Sequence, residues 1–368
     1  MNHKKYIFLD GLRGIAALLV VILHTGKFWG WQPAHGYLAV DLFFLLSGFV
    51  IAYAYEGKLS AGLINKRQFV SIRLVRLYPI FFLSLIFSAA IAAGRAILAH
   101  YADLLTIPQI SVSFILNVFF IPSPIKNNEI LFPLNGLYWS LFYELLVNII
   151  YAIVRPVLST KLLLAIIMGA AFIVFGVATV HGDMNIGFNN DFASVVAAFG
   201  RSIFGIFLGV LMFRKKSFFL DYINNVLHVT IKPAFAFLGI VAIMIMPDFS
   251  SLNALSDVLA VIFFFPLLVL HCIEGTTKRW GRAMLILGAA SYPAYVLQAP
   301  FAALAYFGIG KGVVEKHAPF YGMVFLFFLI IASVALEKKF DIPLRQWFSA
   351  RYIKKSNNSK RTDEQSSS

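Results

Sequence analysis

Apolar residues fall into eleven runs along the chain: roughly 8–28, 37–55, 77–98, 111–122, 137–155, 161–180, 194–213, 233–246, 253–273, 284–308 and 320–337. Ten of them are long enough, or nearly so, to cross about 30 Å of hydrocarbon as helices. The run Ser111–Pro122 has only twelve residues and is not expected to cross. It reads as a re-entrant or interfacial segment ending in Pro122 and Pro124. The pattern predicts an all-α, polytopic integral membrane helical bundle of about ten spans plus this short segment. No internal repeat stands out. Residues 1–345 form the predicted membrane domain, and 346–368 a polar, disordered cytoplasmic tail.

Composition agrees. Of 368 residues 60% are apolar and 13% charged, with 38 Phe, more apolar side chains than the interior of a soluble domain accepts. A net charge of +14 would suit nucleic acid. The basic residues, however, lie in short loops and the tail, the distribution that orients membrane spans. Membrane lipid is the expected partner, and nucleic acid is not. Lys4 and Lys5, then Lys58, Lys66, Arg67, Arg73 and Arg76, then Arg214, Lys215 and Lys216, then Lys278, Arg279 and Arg282 mark inside loops. The loop holding Asp183 and Asp191 has neither Lys nor Arg and is expected outside. These signs agree only if Ser111–Pro122 does not cross. Both termini are then cytoplasmic, in the cell (inner) membrane. Cys272 stands alone, so no internal disulfide forms and the redox compartment is unreadable. The first run contains Asp10 and Arg13 and is expected to stay as a span rather than leave as a signal.

Ionisable residues inside spans are costly in lipid and point to function. Arg13 and His24 share the first run. Eleven residues of helix turn about 1100°, so the two side chains face nearly the same way, ~16 Å apart along the axis. With the predicted topology His24, Asp41 and Glu144 lie at one outer depth on three helices, a composition suited to a general base with an orienting carboxylate. The same groups could simply tie helices together. Arg13, Arg73 and Arg76 gather at the inner mouth and suit a phosphate-bearing ligand. Arg73 and Arg76 alone would also serve as topology markers. Ser47, Trp139, Ser140, Ser291 and Tyr292, with Tyr295, are candidate cavity-lining or helix-packing groups. Arg201, inside the seventh span, is expected to need a carboxylate. His35, His100, His181 and His317 fall in outer loops and are expected to be solvated. No metal-ligand spacing and no glycine-rich phosphate loop occur.

The segments FLDGLRGIAALLVVILH, VDLFFLLSGFVIA, RLVRLYP, LYWSLFYE, LGAASYPAYVLQAP and LEKKFDIPLRQW resemble, in order, the motifs of acyltransferase family 3. The likeness runs from Leu9 to about Arg345. Arg13 and His24 match the family's Arg-x10-His, Asp41, Ser47 and Gly48 its second-span motif, Arg73 and Arg76 its R-x-x-R, and Trp139, Ser140 and Glu144 its W-S-L-x-x-E. Gln298 stands where the family usually has a late histidine, and Pro343 lies six residues after Glu337, stretching the closing segment. The family's optional C-terminal esterase-like domain is not expected. The resemblance implies transfer of an acyl group, commonly acetyl, from acetyl-CoA to a glycan hydroxyl. Acetyl-CoA enters as co-substrate, with no bound cofactor and no metal. Arg13, Arg73 and Arg76 would hold the CoA head, with His24 as catalytic base and Asp41 or Glu144 orienting it or holding the acceptor. A direct transfer and a covalent acyl-His24 route are both open. The competing class is a polytopic transporter or flippase for a lipid-linked or small-molecule substrate. Acceptor identity, glycan or lipid-linked sugar, and oligomeric state are not legible.

Overall fold

The computed structural model describes residues 6–98, 105–123, 125, 129–225, 228, 231–273 and 280–353. Lys4, Lys5, His100, Pro124, Lys278, Arg279 and the expected tail beyond residue 353 lie outside them. The structure is a helical membrane bundle, and among the described residues the β pairing is a lone antiparallel bridge between Ile130 and Asn189. Among the described residues eight helices are long and apolar enough to cross a membrane: α1 (Ile7–His24), α2 (Gly36–Ser60), α3 (Lys66–Leu98), α5 (Tyr138–Val157), α6 (Thr160–His181), α7 (Phe192–Arg214), α10 (Ser250–Ile273) and α12 (Phe320–Arg351). Between them lie α4 (Ile107–Val118), α8 (Lys216–Asn225), α9 (Pro233–Ile245) and α11 (Gly281–Ile309). The predicted re-entrant segment is α4, twelve residues long and opened by a capping box from Thr106 and Gln109. Its ~18 Å fall well short of the hydrocarbon thickness. α11 has 29 residues but is diluted by hydroxyls, Gln298 and two prolines, Pro293 and Pro300.

Local chemistry sets the helix ends. Ser159 caps α6 by accepting the Leu162 amide at 3.2 Å, and Asp191 caps α7 by accepting the Ser194 amide at 2.8 Å. Gly182 closes α6 at φ 97°, where a β-carbon would be strained. α3 begins at Lys66, well before its apolar run at 77, so Arg73 and Arg76 ride on a continuous helix rather than a loop. In α12 the helix widens to a π-helical turn over Glu337–Asp341 and resumes with Pro343 in its first turn. The widening absorbs the extra length between Glu337 and Pro343.

Small residues let the spans approach closely, as expected where lipid removes the hydrophobic drive between helices. At the α1–α11 contact a β-carbon on Gly14 would sit 2.6 Å from the Leu287 carbonyl oxygen. At the α2–α7 contact one on Gly48 would overlap the Ile206 carbonyl. Pro300 has no N–H, so the Val296 carbonyl one turn earlier loses its helix donor. Ser84 of α3 donates to that oxygen at 2.6 Å and Asn135 at 2.9 Å, turning a helix defect into a three-way joint. At one end of the bundle Glu56 of α2 binds Arg214 of α7 at 2.6 Å and Arg155 of α5 at 3.1 Å.

We expect Gly48→Val to force α2 and α7 apart and cost about 1–3 kcal/mol or more, the range for overpacking. Thermal unfolding in detergent should show a lowered Tm, whereas Gly169→Ala, whose added carbon would meet nothing within 4 Å, should leave Tm unchanged.

Candidate active site

Two cavities occupy the middle of the bundle. The first, of about 120 Å³, is lined by Arg13 of α1, Ser47 of α2, Arg73 and Arg76 of α3, Ser140 and Glu144 of α5, Ser291 and Tyr292 of α11, and Glu337, Asp341 and Arg345 of α12. It gathers the three predicted arginines as expected. Glu144 is also here: its Oε1 accepts from Arg73 Nη2 at 2.6 Å and from Ser47 Oγ at 2.6 Å. Glu144 therefore does not sit beside His24, contrary to the depth expected for it. Arg73 is two turns inside α3 and reaches it from the basic end. Arg345 pairs with Asp341 at 2.7 Å. Among the described residues Arg13 and Arg76 form no salt bridge. The Nε atoms of Arg73 and Arg345 and Oδ1 of Asp341 are buried without hydrogen-bond partners. A cavity with free guanidinium donors is prepared for an anionic ligand. Ser291 Oγ bonds back to the Gly288 carbonyl at 2.7 Å, and the Tyr292 hydroxyl donates to the Leu77 carbonyl at 2.5 Å.

The second cavity, of about 460 Å³, lies at the His24 end of α1. Its walls include His24, Gln32, Tyr37, Asn135, Trp139, Asn185 and Arg201. Val40 and Tyr295 line both cavities, so the two meet at a thin shared wall. His24 Nδ1 lies 2.9 Å from the Val20 carbonyl oxygen one turn back. A carbonyl only accepts, so Nδ1 carries the proton and Nε2 is left as the ring's base. The backbone thus does the orienting expected of a carboxylate. Asp41 is not that carboxylate either. It is 2% exposed, and its oxygens take Arg201 Nη2 at 2.6 Å and Nε at 3.0 Å. Arg201 also donates to the carbonyls of Ile186 and Tyr37 and lies over the Trp139 ring at 5.5 Å. The partner expected for Arg201 is Asp41. Among the described residues no His, Cys, Asp and Glu cluster could hold a metal.

His35, expected in solvent, is fully buried. Its Nδ1 lies 2.7 Å from Asp257 of α10 and its Nε2 3.1 Å from the Pro247 carbonyl. Tyr37 donates to the other Asp257 oxygen at 2.8 Å, and the Met184 amide to the same oxygen at 2.9 Å. This cluster ties α10 to two loops flanking the His24 cavity. Nothing in the sequence marked it, because Asp257 is 222 residues from His35. His181 and His317 are exposed, as expected, with His181 beside Asp183 at 3.0 Å. Gln298 is buried and donates to the Tyr295 carbonyl at 3.0 Å within its own helix, while its Oε1 is buried without a hydrogen-bond partner.

The fold and site define a multi-pass membrane protein with two neighbouring chambers, one lined by arginines and one by His24. The acyltransferase-3 profile, an acyltransferase domain, matches residues 6–337, and the chain belongs to that family; it is a membrane acyltransferase. Protein 2 in the picA locus of Rhizobium radiobacter is 40% identical over 157 residues, covering 40% of this chain and 82% of that protein. Proteins of Staphylococcus aureus strains COL and N315, provisionally named O-acetyltransferases, are 38% identical over 82 residues, 21% of this chain. The matched segment spans 13% of the length of those relatives. No solved structure matches.

Two outcomes follow from the buried pairs. Burial pulls the His35 pKa down, but the hydrogen bond and charge of Asp257 and the Pro247 carbonyl outweigh it, and the net shift is upward. A raised histidine pKa gives stability that is complete below the unfolded value of about 6.5 and lost as pH rises through the folded value. Melting curves should show Tm falling on the alkaline side in the native protein, with a flatter profile in His35→Gln. Asp41→Ala leaves Arg201 buried and unpaired and should cost about 3–5 kcal/mol, while the joint change Asp41→Leu with Arg201→Met should recover most of that loss. The three melting temperatures decide it.

Proposed function

We propose that this protein moves an acyl group, in the first instance acetyl, from acyl-CoA to a hydroxyl of a cell-envelope or exported glycan. The observation that carries this reading is the pair of cavities sharing Val40 and Tyr295, with the arginines on one side and His24 on the other. Arg13, Arg76 and the unpaired Nε of Arg73 suit the phosphates of CoA. From there a pantetheine arm would run along α1 toward His24, over the ~16 Å that eleven helical residues span. Trp139 and Tyr37 offer aromatic faces, and Gln32, Asn135 and Asn185 amides, a combination suited to the apolar faces and hydroxyls of a sugar. Acetyl-CoA is a co-substrate in this scheme, and no resident cofactor takes part.

His24 acts as general base. Its Nε2 takes the proton of the acceptor hydroxyl as that oxygen adds to the thioester carbonyl carbon. When the C–S bond breaks, the departing thiolate takes the same proton back from the imidazolium. The Val20 carbonyl holds the ring throughout. The basic loops support an orientation with the arginine cavity and both termini on the cytoplasmic side of the inner membrane, where acyl-CoA is made. The provisional names of the S. aureus relatives support acetyl transfer to oxygen.

The test is CoA release from acetyl-CoA by the protein in nanodiscs, supplied with total cell-envelope glycan. His24→Ala should abolish release, while Arg13→Ala should raise KM for acetyl-CoA about tenfold or more, the size of a lost charge-assisted contact. Equal release by wild type and His24→Ala would remove His24 from the mechanism. Absent release, together with movement of a labelled lipid-linked sugar across proteoliposomes, would favour a flippase.

A further inference from the structure

We propose that the Tyr295 hydroxyl is the oxyanion donor of the transfer step, a reading that rests on the acyl-transfer function above. The thioester carbonyl has to lie where the two cavities meet, because its sulfur comes from the arginine side and the attacking hydroxyl from the His24 side. Val40 and Tyr295 form that seam. Val40 brings no polar side-chain atom, so the phenol is the side-chain donor at the wall common to both cavities. As the hydroxyl adds, the carbonyl oxygen gains a full negative charge inside a lipid-embedded bundle. Fixed donors aimed at such an oxygen do the most for an acyl transfer.

The hydrogen-bond pattern leaves the phenol ready for this. Tyr295 is 4% exposed, and its oxygen lies 2.7 Å from Ser140 Oγ. Ser140 Oγ also lies 3.2 Å from the Leu137 carbonyl oxygen, which only accepts. In the proposed arrangement Ser140 gives its proton to Leu137 and receives the one from Tyr295. The phenol proton rests on a neutral hydroxyl, an acceptor weaker than an oxyanion, and transfers its hydrogen bond without any backbone movement. The turn that carries it is held firmly. Gln298 donates to the Tyr295 carbonyl, the following Val296 carbonyl is pinned by Ser84 and Asn135, and Phe43 meets the ring edge-on at 5.7 Å.

The step balances. The acceptor O–H gives its proton to His24 Nε2, its oxygen bonds to the carbonyl carbon, and the carbonyl π electrons move onto the oxygen facing Tyr295. Collapse re-forms the C=O bond, expels the thiolate and returns the proton from His24 to sulfur. Tyr295 keeps its own proton throughout.

The experiment compares wild type with Tyr295→Phe in nanodiscs, following CoA release from acetyl-CoA with total cell-envelope glycan. We expect kcat to fall about 100-fold, as on losing one oxyanion donor, with KM for acetyl-CoA changed by no more than about threefold and an unchanged Tm. Fluorinated tyrosines installed at position 295 should make kcat track the acidity of the phenol, which a packing contact would not do. Ser140→Ala keeps the phenol and removes only its resting partner, so kcat should fall by less than in Tyr295→Phe. An undiminished kcat in Tyr295→Phe, or a loss carried by KM or by Tm, overturns the proposal. So does a Ser140→Ala loss as large as that of Tyr295→Phe, which would make the pair a helix joint. Absence of acetyl-CoA-dependent release by wild type would instead remove the acyl-transfer reading itself, and this role with it.

Discussion

The Asp41–Arg201 pair is the constraint around which the histidine-side chamber is organised. Neither charge can face hydrocarbon, so each must be met inside the bundle. Asp41 takes two guanidinium nitrogens, and the rest of Arg201 reaches the carbonyls of Ile186 and Tyr37. One side chain thus fixes α2, α7 and the loop before α7, and its flat face supports Trp139. The Ile186 carbonyl belongs to the segment whose Met184 amide completes the Asp257 cluster. The walls of the chamber are therefore held by buried ions paired with one another.

The other chamber is built on the opposite principle. Two of its carboxylates are each tied to one arginine, Glu144 to Arg73 and Asp341 to Arg345, while among the described residues Arg13 and Arg76 of its lining form no salt bridge. Paired ions supply rigidity, while in the proposed function the unpaired ones would receive an anion. The π-helical turn of α12 matters here, because the extra residue in the turn carries Glu337 and Asp341 to the mouth of the cavity.

The placement of the long apolar helices was legible because hydropathy is additive along a helix, and the short run of α4 was legible from its length alone. Of the ten spans expected, eight are long and apolar enough among the described residues, the runs at 233–246 and 284–308 forming the short α9 and the proline-broken α11. Arg13, Arg73 and Arg76 converged as expected, since helical periodicity and charge in a span are local properties. Partnerships were not legible. Glu144 was assigned to His24 by depth, but depth says nothing of azimuth, and Arg73 occupies the same level from a helix that starts eleven residues before its apolar run. His24 needed no carboxylate because a carbonyl one turn back was already present, which a search for acids cannot find. His35 was read as solvated from its loop position, yet the loop folds inward onto Asp257. Ser140 and Tyr295 were each noticed, but their contact joins α5 to α11 across 155 residues.

The wall that the chambers share has a consequence for the membrane itself. Two hollows reaching inward from opposite ends of one helix leave a thin layer of protein between them. Water entering both would come within a side chain of forming a continuous file, along which protons move readily. Val40 interrupts that file with an apolar group, and Tyr295 closes the rest while its hydroxyl stays engaged by Ser140. The two residues common to both hollows are therefore the positions where a smaller or more polar side chain would most readily join them.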